Sequence, residues 1–262
     1  MKFQSLVAAA LLCVASGSQA ALIHQFHLNG SFADSAGSAQ LSKLDGQSGQ
    51  SGQLGRNGFS FEANAGLHLD AQLGGIYTID MVFHFDELKQ YGRIVDFKNQ
   101  LSDTGLYANY GQFKVFNLPG EGTGGKLETR ADTRLTLTRD AQDTFKVYQN
   151  GGLVLSVKDA NGVTHFGNNT AYFFQDNLSG GATREANAGA IDYLRVFNTA
   201  LSADEVRGLA APVDVPEPGS LLLLGAGLGL LGWTRRRGNR FDRLKQGLGV
   251  DVLPWPGLCW LD

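Results

Sequence analysis

Tyr77-Thr78-Ile79-Asp80-Met81-Val82-Phe83-His84-Phe85 decides the fold. Large apolar side chains at 77, 79, 81, 83 and 85 alternate with Thr78, Asp80, Val82 and His84. Successive side chains on a strand point to opposite faces, so a period of two puts one face of this segment on a core. Short runs of similar character lie on both sides of it, at 58–61, 66–69, 93–97, 105–108, 112–116, 134–138, 144–148, 153–157, 171–174 and 191–197. Turn residues separate them. Asn150-Gly151-Gly152, between Phe145-Lys146-Val147-Tyr148 and Leu153-Val154-Leu155, is a hairpin signal. About eleven short strands in one domain predict an all-β, two-sheet antiparallel sandwich.

Two places within the body break the pattern. Residues 42–57 are rich in Gly, Ser and Gln and read as a long surface loop. Ser202-Ala203-Asp204-Glu205 has the Ser-x-x-Glu spacing of a capping box, which predicts a short closing helix over 203–209. Residues 211–218 then hold three of the six prolines, a semi-rigid spacer.

Both ends are hydrophobic. Lys2, the apolar stretch 6–14 and Ser18-Gln19-Ala20 read as a secretory signal over 1–20, cut between Ala20 and Ala21. At the other end Val215-Pro216-Glu217-Pro218 is followed by an apolar run, 219–233, and by Arg235-Arg236-Arg237. As a helix, roughly 15 residues span about 22 Å, short of a hydrocarbon core of about 30 Å. Gly225, Gly227, Gly229 and Gly232 weaken such a helix, and the arginines favour the cytoplasmic side, which leaves the large N-terminal part outside. Residues 238–262, with Trp255-Pro256 and Cys259-Trp260, show neither a strand nor a helix period.

Between these ends lies an exported body, 21–211. Residues 21–218 carry 15 Lys and Arg against 22 Asp and Glu, a net charge of −7. An acidic surface disfavours nucleic acid as a partner. Cys13 and Cys259 both fall in the ends, so the body has no disulfide; about 190 residues can bury an adequate core without one.

The order Pro-Glu-Pro, short Leu/Gly-rich segment and Arg cluster resembles the PEP-CTERM sorting domain of Gram-negative bacteria. That resemblance gives Pro216, Glu217, Pro218, Arg235, Arg236 and Arg237 a sorting role, with 212–218 as linker and 219–237 as anchor. It implies that a membrane-embedded exosortase, a cysteine peptidase, recognises the Pro-Glu-Pro element and removes the tail. The protein would cross the inner membrane, be anchored transiently, and reach the cell surface or extracellular matrix. Members of that family normally stop soon after the basic cluster, so 238–262 is an atypical extension.

The body resembles the laminin-G-like branch of the concanavalin A-like jelly rolls. Phe26-His27-Leu28-Asn29-Gly30-Ser31-Phe32-Ala33-Asp34-Ser35-Ala36-Gly37 is similar to the family's first strand and its Asp-containing turn. Arg134-Leu135-Thr136-Leu137-Thr138-Arg139-Asp140 with Val147-Tyr148-Gln149-Asn150-Gly151 resembles its central hairpin, and 189–206 its close. The resemblance implies a calcium ion held by loop carboxylates, for which Asp96 and Asp103 beside one loop and Asp176 and Glu185 beside another are the candidates. It also implies glycan binding. With no Trp in the body, Tyr107, Tyr110 and Tyr172 are the stacking candidates, with Asn109, Asn168 and Asn169 as polar neighbours.

Catalytic patterns are weaker. Hydrolases of this superfamily need two closely spaced carboxylates, and no Glu-x-Asp-x-x-Glu strand is present. Asp86-Glu87 point to opposite faces, and Asp140 and Asp143 flank a turn. His24, His27, His68, His84 and His165 are scattered, and no Gly-x-Ser-x-Gly elbow occurs. The expectation is an exported, non-catalytic surface or matrix protein that binds glycan or protein in exopolysaccharide and biofilm formation. The alternatives are a polysaccharide-degrading enzyme and a purely structural matrix component.

Overall fold

The computed structural model describes residues 20–46, 49, 51–118, 123–168, 170–177 and 185–210. The chain divides after Pro212 into two compact units, and the second, Val213–Asp262, lies outside the described residues. So do the Pro-Glu-Pro element, the apolar run, Arg235, Arg236, Arg237, the extension 238–262 and the signal up to residue 19. Among the described residues no helix is long and apolar enough to cross a membrane.

Among the described residues the first unit contains β1 (Leu22–Phe26), β2 (Gln40–Lys43), β3 (Gly52–Gly55), β4 (Gly58–Phe61), β5 (Leu67–Asp70), β6 (Tyr77–Phe85), β7 (Gly92–Asp96), β8 (Gly105–Asn109), β9 (Gln112–Val115), β10 (Thr123–Gly124), β11 (Thr133–Arg139), β12 (Thr144–Gln149), β13 (Gly152–Lys158), β14 (Ala171–Phe173), β15 (Gly189–Phe197) and the helix α1 (Ala203–Gly208). The first sheet runs β13-β12-β11-β6-β15-β4-β3, with β1 also on β15; the second runs β10-β9-β8-β7-β14-β5-β2. The result is an antiparallel two-sheet sandwich of jelly-roll type.

The alternation in β6 does what its period requires. Tyr77, Ile79, Met81, Phe83 and Phe85 are all buried, facing Ile94, Leu106, Phe113 and Phe173 of the second sheet. Phe174 stacks on Phe61 at 4.5 Å and lies 5.3 Å from Phe83. Burying one such side chain contributes roughly 1.5–3 kcal/mol, and an aromatic pair about 0.5–1.5 kcal/mol more. This core holds the body together without disulfides.

The other face of β6 departs from expectation. Thr78 and Asp80 are buried too, because a second, smaller core of Tyr148, Phe197, Leu201 and Val206 covers this part of the sheet. Helix α1 supplies Val206, and its N-terminus carries the capping box: Glu205 N donates to Ser202 Oγ, and Ser202 N donates to Glu205 Oε2 at 2.7 Å. Beneath it Asp80 accepts from Arg134 Nε (2.8 Å), Arg195 Nη2 (2.7 Å) and Thr136 Oγ1 (2.6 Å).

Residues 42–57 are not one long loop. Strand β2 runs to Lys43, and Gly52–Gly55 is an edge strand pairing with β4, Gly52 opposite Phe61 and Leu54 opposite Phe59. Gly and Gln have little intrinsic strand preference; the tight return to Phe59 and Phe61, which are fixed in the core, imposes the extended form. The Asn150-Gly151 hairpin forms as its residues predict, with φ of 51° and 82°.

The Asp-containing turn has a clear physical role. Asp34 Oδ1 accepts from the backbone of Gln25 (2.9 Å), Ala36 (3.1 Å) and Gly37 (2.9 Å), while Oδ2 accepts from Ala39 N (3.0 Å) and faces His24 Nδ1 at 2.7 Å. Burial pushes this carboxyl up, but the hydrogen bonds from Gln25, His24, Ala39 and Ala36 outweigh burial and hold it below the usual range. Asp34 therefore ties β1 to the chain that follows it.

Candidate functional site

The predicted acidic residues converge on the outer face of the second sheet. In β7 and β8, Arg93 is the register partner of Tyr107 and Asp96 of Gly105, with a bulge between Arg93 and Val95. Residues three apart on a regular strand point to opposite sides, and the extra residue of a bulge brings Arg93 and Asp96 to the same side.

Arg93 sits at the centre and is fully buried. Its Nη1 donates to Asp96 Oδ2 and to the Ser102 carbonyl (3.3 Å); its Nη2 donates to Tyr107 Oη and lies 3.5 Å from Asp176 and 3.7 Å from Asp103. The guanidinium carbon is 4.9 Å from the Tyr107 ring centroid. Backbone bonds fix the carboxylates: Asp96 Oδ1 accepts from Lys98 N (2.8 Å) and Gln100 N (2.9 Å), and Asp176 accepts from Asn177 N (2.7 Å) and Glu185 N (3.3 Å). Burial raises Asp96 and Asp176 above the ordinary carboxylate range despite Arg93. Glu185 is raised by burial and by the charges of Asp176 and Asp103. Burial also pushes the Tyr107 hydroxyl up.

Asp96, Asp103, Asp176 and Glu185 thus come together around a guanidinium. Arg93 was not among the sequence candidates, because a strand pattern does not reveal the bulge that turns it to the same side as Asp96. Among the described residues no three His, Cys, Asp or Glu side chains are grouped to hold a metal ion. The centre that a calcium ion would need is filled by Arg93, and Asp103, 54% exposed, marks the open side of the cluster.

The predicted sugar-contacting residues separate into three places. Tyr107 is buried in the carboxylate cluster, its hydroxyl donating to the Asp103 carbonyl at 3.0 Å. Tyr110 is 67% exposed at the β8–β9 turn, next to Asn109. Tyr172 lies half-buried on the outer face, stacked on His68 with ring centroids 4.4 Å apart and planes 21° from parallel. Ser42, His68, Tyr172 and Asp96 are register partners across β2, β5, β14 and β7. His68 Nε2 is 2.9 Å from Thr170 Oγ1, and Thr170 N donates to Asn99 Oδ1 at 3.0 Å. Burial lowers the His68 pKa, which favours a neutral ring at neutral pH. Asn168 is exposed, and Asn169 lies outside the described residues. Sequence reasoning missed His68; its period-two partnership with Leu67 and Leu69 was the available signal.

The carboxylates weighed for hydrolysis have structural partners. Asp140 accepts from Gln142 N (3.0 Å) and Thr144 N (2.8 Å), Asp143 pairs with Arg139 at 2.9 Å, and Asp86 lies 3.9 Å from His84.

Residues 61–207, more than half of the chain, match the laminin-G-type model of the concanavalin A-like lectin/glucanases superfamily. The chain belongs to this superfamily. Residues 214–237 of this concanavalin A-like protein match the PEP-CTERM protein-sorting motif. The motif implies export, a membrane-anchored sorting signal and processing by exosortase, a membrane protein. No curated protein matches it. Among solved structures it is similar to domain 4 of an extracellular GH43 arabinanase from Geobacillus stearothermophilus in complex with arabinotriose, at a TM-score of 0.56 and 18% identity over 73% of this chain and 99% of that one. It is also similar to Trypanosoma rangeli sialidase, at 0.56 and 16% identity, and to the binding domain of botulinum neurotoxin serotype D, at 0.53 and 16%. Each likeness covers 71% of this chain, but 32% of the sialidase and 50% of the neurotoxin domain. At such identities the likeness is one of fold.

Proposed function

We propose that the sandwich is the non-catalytic, glycan-binding part of a surface or matrix protein that acts with extracellular polysaccharide in biofilm formation. One observation carries the reading: the Tyr172–His68 stack faces outward on a rigid sheet, beside the hydroxyls of Ser42 and Thr170. A flat ring with hydrogen-bonding neighbours is what a sugar face requires. The arabinotriose held by the arabinanase domain supports it, since that domain shares this fold. Tyr172→Ala should weaken binding on a polysaccharide panel about tenfold, roughly 1.4 kcal/mol, with a fall in Tm of only a few degrees from the lost His68 stack. Unchanged binding would remove this face from the account, and turnover of any polysaccharide would favour the hydrolase reading.

Sorting is tested separately. Replacing Pro216, Glu217 and Pro218 with alanine should leave full-length protein in the membrane, seen as loss of the processed band. Release at the normal rate overturns the role of those residues.

We keep calcium in the proposal at the open side of the carboxylate cluster, where Asp103 and Glu185 add negative charge that Arg93 alone does not balance. Millimolar calcium should raise Tm, EDTA should reverse the rise, and Asp103→Asn should reduce it. A Tm indifferent to both reagents removes calcium.

A further inference from the structure

The outer face of the first sheet carries a groove that the proposed glycan face does not include. Gln53 of β3, Ser60 of β4, Ala190 of β15 and His84 of β6 are register partners in a line across four strands. With about 4.8 Å between strands, the line is roughly 14 Å long. Two adjoining cavities of about 370 and 270 Å³ lie on either side of this row, one toward the β3–β4 turn and one toward Glu62 and Asp86, and share Gln53 and Ser60. The floor is low because the backbone demands it. A Cβ at Gly58, whose φ is +121°, would come within 2.6 Å of the Ile191 carbonyl.

The lining is polar and its charge is lopsided. Arg56 and Asn57 stand at the β3–β4 turn. The opposite end holds Glu62, which accepts from Ser51 N at 3.1 Å, and the half-exposed Asp86. Beyond the line Asp132, 73% exposed, lies 2.7 Å from His84 Nδ1. Among the described residues Arg130, 76% exposed, lies 3.7 Å from Asp86, and His84 Nε2 lies 3.9 Å from it. This end therefore carries an excess of negative charge on a body that is already acidic.

We propose that this groove is a second binding site, for a linear polysaccharide bearing protonated amines. Ser60 and Gln53 offer hydroxyl and amide groups to the sugar rings, and Glu62 and Asp86 pair with the amines. A uronic acid polymer would meet like charge, and a neutral chain would leave the carboxylates unused. The site is independent of Tyr172.

Calorimetry of the full chain with chitosan oligomers, cello-oligosaccharides and oligogalacturonate tests it. Chitosan oligomers should bind and weaken about tenfold from low to high salt, as screening of exposed charge requires. Glu62→Gln with Asp86→Asn should weaken chitosan binding at least tenfold and flatten the salt dependence. Ala190→Phe should block the groove, and the salt-dependent component of chitosan binding should persist in Tyr172→Ala. Equal binding of cello-oligosaccharides, preference for oligogalacturonate, or full binding by the doubly substituted protein overturns the proposal. Loss of chitosan binding on Tyr172→Ala, with the double variant unaffected, moves the ligand to the other face. Should Ala190→Phe fail to fold, the double variant, which alters only side chains at the groove's rim, still decides.

Discussion

Arg93→Met should destabilise the sandwich by about 3–5 kcal/mol at neutral pH, because it removes the counter-charge from a buried acidic cluster. For a domain of this size that is a fall in Tm of roughly 10 °C. Among the described residues Asp96 and Asp176 have no other cation as close, and both are buried. The loss should also depend on pH, with a sign fixed by linkage. Asp96, Asp176 and Glu185 have folded-state pKa values above their unfolded ones. The folded state binds those protons more tightly, so it gains stability as pH falls through the raised values and is penalised above them. Without Arg93 the penalty grows, and the difference between variant and parent should be larger at pH 8 than at pH 5. Thermal unfolding across that range measures it. A loss below about 1 kcal/mol, or one that does not change with pH, would mean that the guanidinium is not what balances the cluster.

Asp80→Ala should cost about 3 kcal/mol by the opposite route, leaving two guanidiniums without their shared carboxylate. Arg134 and Arg195 are 17% and 8% exposed, so water relieves them only in part. Arg134 also donates to the Leu209 carbonyl at 2.7 Å, and the damage should spread to the end of the sandwich as faster amide exchange in α1. Replacing Asp80 and Arg195 together with Leu and Met should recover much of the stability, since a matched apolar pair leaves less buried charge unbalanced. Parental stability in Asp80→Ala alone would show that this ion cluster contributes nothing.

These two sites mark how far the residues could be read in advance. The period of β6 gave its inward side chains correctly, because alternation and burial are one phenomenon on a sheet. Its outward side was misjudged at Thr78 and Asp80: a strand records which way a side chain points, but not that a helix more than a hundred residues later will cover it. Strand β3 was hidden because its extended form comes from pairing with Phe59 and Phe61, not from Gly52-Gln53-Leu54-Gly55. Asp96 and Asp103 beside one loop and Asp176 and Glu185 beside another were named through resemblance, as candidate ligands of a calcium ion. Arg93 was not, since the bulge beside it leaves no trace in spacing. Tyr107 and Tyr172 were both stacking candidates, and the loop carrying Ser102 and Asp103 distinguishes them, since Tyr107 donates to the Asp103 carbonyl and is buried.

The beginning and end of the sandwich are stitched to each other. Ala21 N donates to Asn198 Oδ1 at 3.2 Å, Asn198 N returns a bond to the Ala21 carbonyl at 3.1 Å, and Ala20 and Leu209 border the same hollow. A module whose entry and departure points adjoin can be spliced into a surface loop of an unrelated carrier with little strain on either partner. The same adjacency lets the order of its strands be rewired by joining the two points and opening the chain at the Asn150-Gly151 turn.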